Sequence, residues 1–241
     1  MNIGRRVYGL GAATMGATVV AFHLLAPAHP PTNAALAFAE AAILILGGVA
    51  LNLPRVAPIG AALLAAYFAA CAVLLAGPAV VAKPLMVGSW ENFAEQAALA
   101  AGAAVAYALT TGAQSGRSQM IARVGRLVFG LCLLVFGAAH FAYAKYTASL
   151  VPAWLPPGQM AWTYITGVAQ IAAGLALLSG LRARLAAILL TIMYGLFGLL
   201  VHAPLIHSSP STRFYWDEFF INLALMGVAW LMVDAVGQKA D

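Results

Sequence analysis

Eight stretches of about 20 mostly apolar residues follow one another along this chain and leave little room for anything else. An α-helix needs a run of that length to cross the hydrocarbon core of a bilayer. The chain is 63% hydrophobic and 8% charged, whereas soluble domains average about 25% charged residues. The sequence therefore predicts an all-α, polytopic membrane protein with eight transmembrane helices. The expected spans cover about 7–26, 34–52, 58–81, 92–111, 127–146, 162–180, 185–203 and 218–235.

The second half of the sequence repeats the first. Residues 4–9 read GRRVYG and return at 125–130 as GRLVFG, while WENF at 90–93 returns at 216–219 as WDEF. Self-similarity at a fixed period is the signature of a duplicated structural unit. The pattern predicts two tandem four-helix repeats. Their expected limits are 1–112 for the first repeat, 113–126 for a basic cytoplasmic linker and 127–241 for the second repeat.

Lysine and arginine are divided unequally between the two sides of the predicted spans. Cytoplasmic loops of membrane proteins carry an excess of these residues, so the richer side is expected to face the cytoplasm. That places both termini in the cytoplasm and predicts a bacterial inner (plasma) membrane protein. The chain also lacks a basic patch interleaved with aromatics, so nucleic acid is not an expected partner. The richer side holds Arg5, Arg6, Arg55, Arg117, Arg123, Arg126, Arg182, Arg184 and Lys239, and the other side holds Lys83, Lys145 and Arg213.

The first span also fits the outline of a cleaved signal peptide. Arg5 and Arg6 precede an apolar stretch, and Ala26-Pro27-Ala28 follows it, which is the order of elements in such a peptide. Its counterpart in the second half, 127–146, is an internal span. We therefore interpret the first span as a retained helix.

Ionisable residues inside the spans concentrate near the outer side of the predicted membrane. Glu40, Glu95, His140 and Glu218 are expected below the lipid head groups, where such residues are costly and normally face the bundle interior. Glu91 is four residues from Glu95 and shares its helix face. The sequence leaves open whether Glu40, Glu91 and Glu95 form a second site or pair with one another.

The second half carries two histidines that the first half lacks, because His140 corresponds to Val19 and His202 to Ala76. A histidine beside a carboxylate accepts protons near neutral pH or holds a metal in one tautomer. Proton handling is the favoured interpretation, and haem or metal ligation by the two histidines is the alternative. The predicted catalytic set is His140, His202, Asp217 and Glu218. The predicted cofactor contacts are Tyr143, Trp154, Trp162 and Asn222, although tryptophans near a membrane surface are commonly interfacial anchors.

Three segments of the second half resemble the DoxX family of small four-helix membrane proteins. Residues 151–156 read VPAWLP, 162–167 read WTYITG and 174–187 read GLALLSGLRARLAA. The resemblance covers about 125–235. Gln170 stands where the family often has glutamate, and the first half has Ala28-His29-Pro30-Pro31 in place of the VPxWLP loop.

The resemblance implies a duplicated DoxX-type protein. The family name comes from the membrane subunit of a thiosulfate:quinone oxidoreductase, which implies a quinone-linked redox subunit that receives electrons from another membrane or periplasmic subunit. Two alternatives stay open. One is an accessory or assembly subunit of a larger membrane complex. The other is a small-solute transporter, which the nearly apolar cytoplasmic half disfavours because a polar solute needs a polar pathway.

Overall fold

The computed structural model describes residues 3–25, 34–112 and 115–237. These residues are entirely helical apart from turns and loops, which confirms the all-α prediction. Three features of the sequence analysis lie outside the described residues: the Ala26-Pro27-Ala28 segment that resembles a signal-peptide cleavage site, the loop at His29 and the basic residue Lys239. The helices are α1 Ile3–Leu25, α2 Ala34–Asn52, α3 Ala57–Ala82, α4 Val87–Thr110, α5 Gly116–Ala142, α6 Ala144–Leu150, α7 Gln159–Ser179, α8 Ala183–Ser208 and α9 Arg213–Gly237.

Six of these helices are long and apolar enough to cross a membrane. They are α2, α3, α5, α7, α8 and α9, so the protein is a multi-pass membrane protein by the composition of its helices. The sequence predicts eight spans, and α1 and α4 are not among the six. Both are long helices. Each carries two charged residues in its N-terminal part, Arg5 and Arg6 in α1 and Glu91 and Glu95 in α4.

Adjacent long helices run antiparallel. Gly4 of α1 lies against Leu231 of α9, while Gly11 lies against Ala224. As the residue number rises along α1, the number of the facing residue on α9 falls, so the two helices run in opposite directions. The same relation holds for α1 with α2, α4 with α5, and α5 with α7. The helices therefore alternate in direction along the chain, α1 and α4 included.

This alternation sorts the helix ends into two groups. The arginine end comprises the helix termini and turns that carry Arg5, Arg6, Arg55, Arg117, Arg123, Arg126, Arg182 and Arg184. The tryptophan end comprises the opposite termini and loops, which carry Trp90, Trp154, Trp162 and Trp216. Most ionisable side chains other than arginine lie toward the tryptophan end.

Glycine allows the helices to pack closely in both halves. A methyl group built on Gly9 would lie 2.7 Å from the Gly48 carbonyl oxygen, and one on Gly174 would lie 2.7 Å from the Gly130 carbonyl oxygen. Small residues bring backbones together in membrane proteins because apolar burial between lipid-exposed helices contributes little. The pairs α1–α2 and α5–α7 use this device at matching positions.

Helices α3 and α8 share an irregular segment. In α3 a π-helical stretch, Cys71–Ala76, precedes Pro78, and in α8 a π-helical stretch, Gly198–His202, precedes Pro204. Proline lacks a backbone N–H and its ring clashes with the carbonyl four residues earlier. A π-bulge accommodates this clash by widening the turn, and such bulges are frequent at functional sites.

Helix contacts follow one scheme in both halves. Helix α1 packs on α2, α2 on α3, and α3 on α4, as α5 packs on α7, α7 on α8, and α8 on α9. Across the halves, α1 packs on α9 and α5 on α4, and α4 also contacts α9, where Gly102 lies against Val228. Helix α5 begins at Gly116, so most of the expected linker at 113–126 is helical.

Candidate functional site

A cavity of about 990 Å³ opens at the tryptophan end of the second half. Its walls come from the C-terminal end of α5, from α6 and the loop after it, and from α7, α8, α4 and α9. The lining is mostly aliphatic and aromatic. Five ionisable side chains also line it: Glu91, Glu95, His140, His202 and Glu218. Cavities of this size that combine apolar walls with a few polar groups are typical small-molecule sites.

The two predicted histidines both line this cavity but are held differently. The Nδ1 of His140 is 2.8 Å from the Phe136 carbonyl oxygen one turn earlier. A carbonyl only accepts hydrogen bonds, so Nδ1 carries the proton and Nε2 of the neutral ring has the lone pair. The ring of His140 also stacks on Phe197 with centroids 6.4 Å apart. His202 is the last residue of the π-helical stretch in α8.

The three carboxylates reach the cavity from both halves of the sequence. Glu218 lies on α9, and Glu91 and Glu95 lie one turn apart on α4. Glu95 accepts a 3.1 Å hydrogen bond from the Nε2 of Gln96. In the described residues no lysine or arginine lines the cavity. The cavity therefore favours a ligand whose polar part is neutral or positively charged, because an anion would meet several carboxylates and no cation.

Tyr143 and Trp162 line the cavity, as the sequence predicts for cofactor contacts. The polar atom of each side chain already makes one hydrogen bond within the protein. The Tyr143 hydroxyl accepts a 2.8 Å hydrogen bond from the Gly88 backbone N–H. Its own proton stays free to be donated. The Trp162 indole N–H donates to the Pro156 carbonyl oxygen at 2.9 Å, so this side chain offers a ligand only its ring.

The loop between α6 and α7 forms part of the cavity wall through Val151, Pro152 and Leu155. It is fixed to the start of α7 by two bonds. The indole of Trp162 reaches Pro156, and the Gln159 side-chain amide donates to the Val151 carbonyl oxygen at 2.6 Å. The proline-rich loop is thus a fixed cover over the cavity.

Three residues of the predicted site lie outside the cavity lining. Asp217 accepts a 3.0 Å bond from Arg213 one turn away and faces neither histidine. Asn222 is buried and donates to the Tyr194 carbonyl oxygen at 2.9 Å. Trp154 is 71% exposed on the loop. The structure gives these residues an ion pair, a packing bond and an exposed surface position in place of a shared site.

Glu40 stands apart from this cavity. It accepts a 3.0 Å hydrogen bond from the Tyr67 hydroxyl, which joins α2 to α3 in the first half. Glu91 and Glu95 instead line the cavity with His140 and Glu218. Glu91 and Glu95 therefore belong to the cavity that His140 and His202 line, and Glu40 does not line it.

Among residues 3–25, 34–112 and 115–237, no three histidine, cysteine, aspartate or glutamate side chains group in a way that could hold a metal ion. Cys71 and Cys132 are buried free thiols. Ligation of haem or metal by His140 and His202 alone stays a prediction. For His140 only Nε2 is available, because Nδ1 is bonded to the backbone.

Comparison with known proteins gives one family match. Residues 129–230 match a family described as a domain of unknown function, DUF8561. The chain matches no curated protein and no solved structure. The matched segment includes His140, His202 and Glu218, but it stops short of Glu91 and Glu95 on α4.

Several cavity residues carry no signal that a search for ionisable or aromatic clusters would find. Thr147 and Thr166 belong to this group. The contribution of Glu91 and Glu95 follows from topology. An antiparallel helix joined by a short turn places its start beside the end of the next helix, so the first turns of α4 meet the last turns of α5.

Proposed function

We propose that all eight long helices cross the membrane, including α1 and α4. Helix α1 packs along its length between α2 and α9, both apolar enough to span, and runs antiparallel to each. Helix α4 packs among α3, α5 and α9, runs antiparallel to α5 and runs in the same direction as α9. With the arginine end on the cytoplasmic side, both termini are cytoplasmic and the cavity opens toward the outer side of the bacterial inner membrane.

Cysteine labelling tests this topology at the two ends of α4. Lys83→Cys and Ser115→Cys flank the helix, in a background where Cys71 and Cys132 are alanine. A membrane-impermeant thiol reagent should label position 83 in intact spheroplasts and position 115 only after lysis. Labelling of both positions from the same side would show that α4 does not cross.

We also infer that the chain is a tandem duplication of a four-helix unit of DoxX type, with a first repeat that lacks the VPxWLP loop. Three observations support this. The two halves share one scheme of helix contacts. The π-helical stretches before Pro78 and Pro204 fall at matching positions. Trp90 and Trp216 each donate to the carbonyl of a proline six residues earlier, at 2.8 and 2.9 Å.

We propose that the cavity binds the ring of a quinone or quinol, and that the protein is a membrane subunit of a quinone-linked redox system. The observation that carries this proposal is the single cavity that joins two histidines and three glutamates within apolar walls. A quinone ring is flat, neutral and apolar, with oxygens at opposite edges that need hydrogen-bond partners. The resemblance to DoxX supports the same class of ligand, with electrons coming from another subunit.

The side chains have distinct roles in this proposal. The Nε2 of His140 accepts a hydrogen bond from a quinol hydroxyl, because its Nδ1 proton is committed to Phe136. The Tyr143 hydroxyl donates to a quinone oxygen, since its lone pair already receives the Gly88 N–H. When quinone receives two electrons from the other subunit it also takes up two protons to become quinol, and Glu218, Glu91 and Glu95 supply these protons to the ring from the tryptophan end.

The test is binding of a soluble, tail-free benzoquinone to the purified full-length protein in detergent. A ligand that binds only the folded state raises the melting temperature with concentration. His202→Ala and Glu218→Gln should each weaken the apparent affinity by about tenfold, equivalent to about 1.4 kcal/mol.

His207→Ala is the matched control. His207 lies five positions from His202 in the same segment of α8, is exposed, and does not line the cavity. The proposal fails if the quinone produces no shift in the unaltered protein. It also fails if His202→Ala and His207→Ala bind it equally well.

A docking role at the outer side is the second candidate, and the exposed Trp154 favours it. Its ring stands 71% exposed on a loop fixed at both ends, and exposed aromatic residues on rigid elements are common anchors in protein interfaces. Trp154→Ala should leave quinone binding intact but release a redox partner during purification in mild detergent. Retention of the same partners would remove this role.

A further inference from the structure

A narrow groove continues from the cavity between α7 and α8 toward the arginine end. It encloses about 250 Å³, and Ala169, Leu189 and Met193 line both the groove and the cavity. The remaining lining is alanine and leucine apart from Arg182 at its far end. From Met193 to Arg182 the helix rises about 16 Å at 1.5 Å per residue. The two spaces therefore form one path, polar at its start and apolar along its length.

The corresponding helices of the first half, α2 and α3, approach each other closely. A methyl group on Gly60 of α3 would lie 2.6 Å from the Gly47 carbonyl oxygen of α2, so these backbones are in direct contact. In the second half, Ala173 stands at the place of Gly47 and Ala187 at the place of Gly60, counted from Arg182 as from Arg55. Alanine thus replaces glycine at this helix contact in the half that has the cavity, and Ala173 and Ala186 line the groove.

We propose that this groove holds the isoprenoid tail of the molecule whose ring occupies the cavity, and this inference rests on the quinone function proposed above. A tail attached to a ring beside His140 enters between Leu189 and Ala169 and runs along α7 toward Arg182. The apolar lining of the groove suits a hydrocarbon chain. In the part of the chain that the structure describes, no lysine or arginine lines the cavity, so a phospholipid with its head group there is disfavoured.

The groove can be filled without touching the cavity. Ala172 and Ala176 line the groove alone, so Ala176→Phe and Ala172→Phe block the tail path and leave the ring site as it is. Leu175→Phe is the matched control, because Leu175 is the neighbour of Ala176, is exposed on the same helix and lines neither space. Melting curves and gel filtration establish that each variant folds.

The experiment compares one quinone ring with no tail, a short tail and a long tail, on protein in lipid nanodiscs, with concentrations expressed per lipid. The unaltered protein and Leu175→Phe should bind the long-tailed form at least about tenfold more tightly than the tail-free form. Ala176→Phe should lose that gain and keep its affinity for the tail-free ring. If the long tail raises the affinity equally in Ala176→Phe and Leu175→Phe, the groove does not hold the tail. The proposal that the cavity binds the ring would be unaffected.

Absence of binding by every member of the series would overturn both the ring site and the groove. A direct position test uses a quinone whose tail ends in a photoreactive diazirine. Mass spectrometry should find the label on α7 and α8 near Arg182. Labelling confined to the tryptophan end or to helices outside the groove would show that the tail leaves the cavity directly into lipid.

Discussion

The two halves of this protein share a helix scheme but differ in what they enclose. In the first half, glycines bring α2 and α3 into backbone contact, and the partly buried Glu40 is bonded to Tyr67. In the second half, alanines line a groove between α7 and α8, and a cavity opens with histidines and glutamates on its walls. The comparison teaches that one helix scheme can carry backbone contact in one half and a lined groove at the corresponding contact in the other.

The largest effect should come from placing a large side chain at the helix contact that distinguishes the halves. Gly60→Leu forces a side chain into backbone atoms 2.5 Å and 2.6 Å away, and overpacking that cannot relax costs about 3 kcal/mol or more. The folded protein should be lost from detergent extracts. Ala186→Leu, next to the matching residue Ala187, lies at the groove and should yield protein that elutes as a single peak by gel filtration. Equal yields would show that the two contacts are equally tight.

The second-largest effect should come from the carboxylates, because Glu218 lines the cavity and Glu40 does not. Glu218→Gln should weaken quinone binding by about tenfold, because Glu218 lines the cavity. Glu40→Gln should leave binding unchanged, since Glu40 is bonded to Tyr67 in the first half. Thermal shifts with the tail-free quinone measure both. A loss in Glu40→Gln of the same size would mean that the first half contributes a site of its own.

A smaller loss of quinone affinity is expected from replacing Pro204, which follows the π-helical stretch that holds His202. Pro204→Ala restores a backbone N–H and removes the clash that maintains the π-helical stretch, so His202 should turn away from the cavity. We expect quinone affinity to fall severalfold, while Pro78→Ala should not change it because α3 lines no part of the cavity. Unchanged affinity in Pro204→Ala would show that His202 keeps its place without the bulge.

The smallest effect is expected at Asp217. Exposed ion pairs contribute about 0–1 kcal/mol, and the pair of Asp217 with Arg213 is of this kind, with both side chains partly exposed. Asp217→Asn should therefore melt within a few degrees of the unaltered protein and bind quinone equally well. A tenfold loss of binding would restore the role that the sequence predicts for Asp217 and contradict its placement by the structure.

These residues show what sequence reasoning could reach. The all-helical architecture follows from apolar runs long enough to cross a membrane, and His140, His202 and Glu218 are identifiable because ionisable groups in such runs rarely face lipid. Asp217 and Glu218 are adjacent in sequence, so only the rotation of α9 about its axis decides which one faces the cavity. That rotation depends on packing against α1 and α4, which periodicity in a nearly uniform apolar helix does not record.

Other features depended on distances between helices. The sequence shows alanine in place of glycine at Ala173 and Ala187, but not that a groove lies between α7 and α8. The indole of Trp162 is an interfacial residue by composition, and only the structure shows that its N–H is bonded to Pro156. The span count also differs. Arg5 and Arg6 in α1, and Glu91 and Glu95 in α4, accompany two helices that fall outside the six candidate spans.

The wall that α4 contributes has a consequence for how such a protein assembles. A polypeptide containing only the segment 129–230 would build His140, His202 and Glu218 into a pocket open on one side, because Glu91 and Glu95 belong to the other half. A helix from a second copy of such a four-helix unit could complete that pocket. On the duplication proposed above, the ancestral unit would be a symmetric dimer with two equal pockets at its subunit boundary. Fusion of the two copies into one chain would then let one pocket keep its chemistry while the other closed.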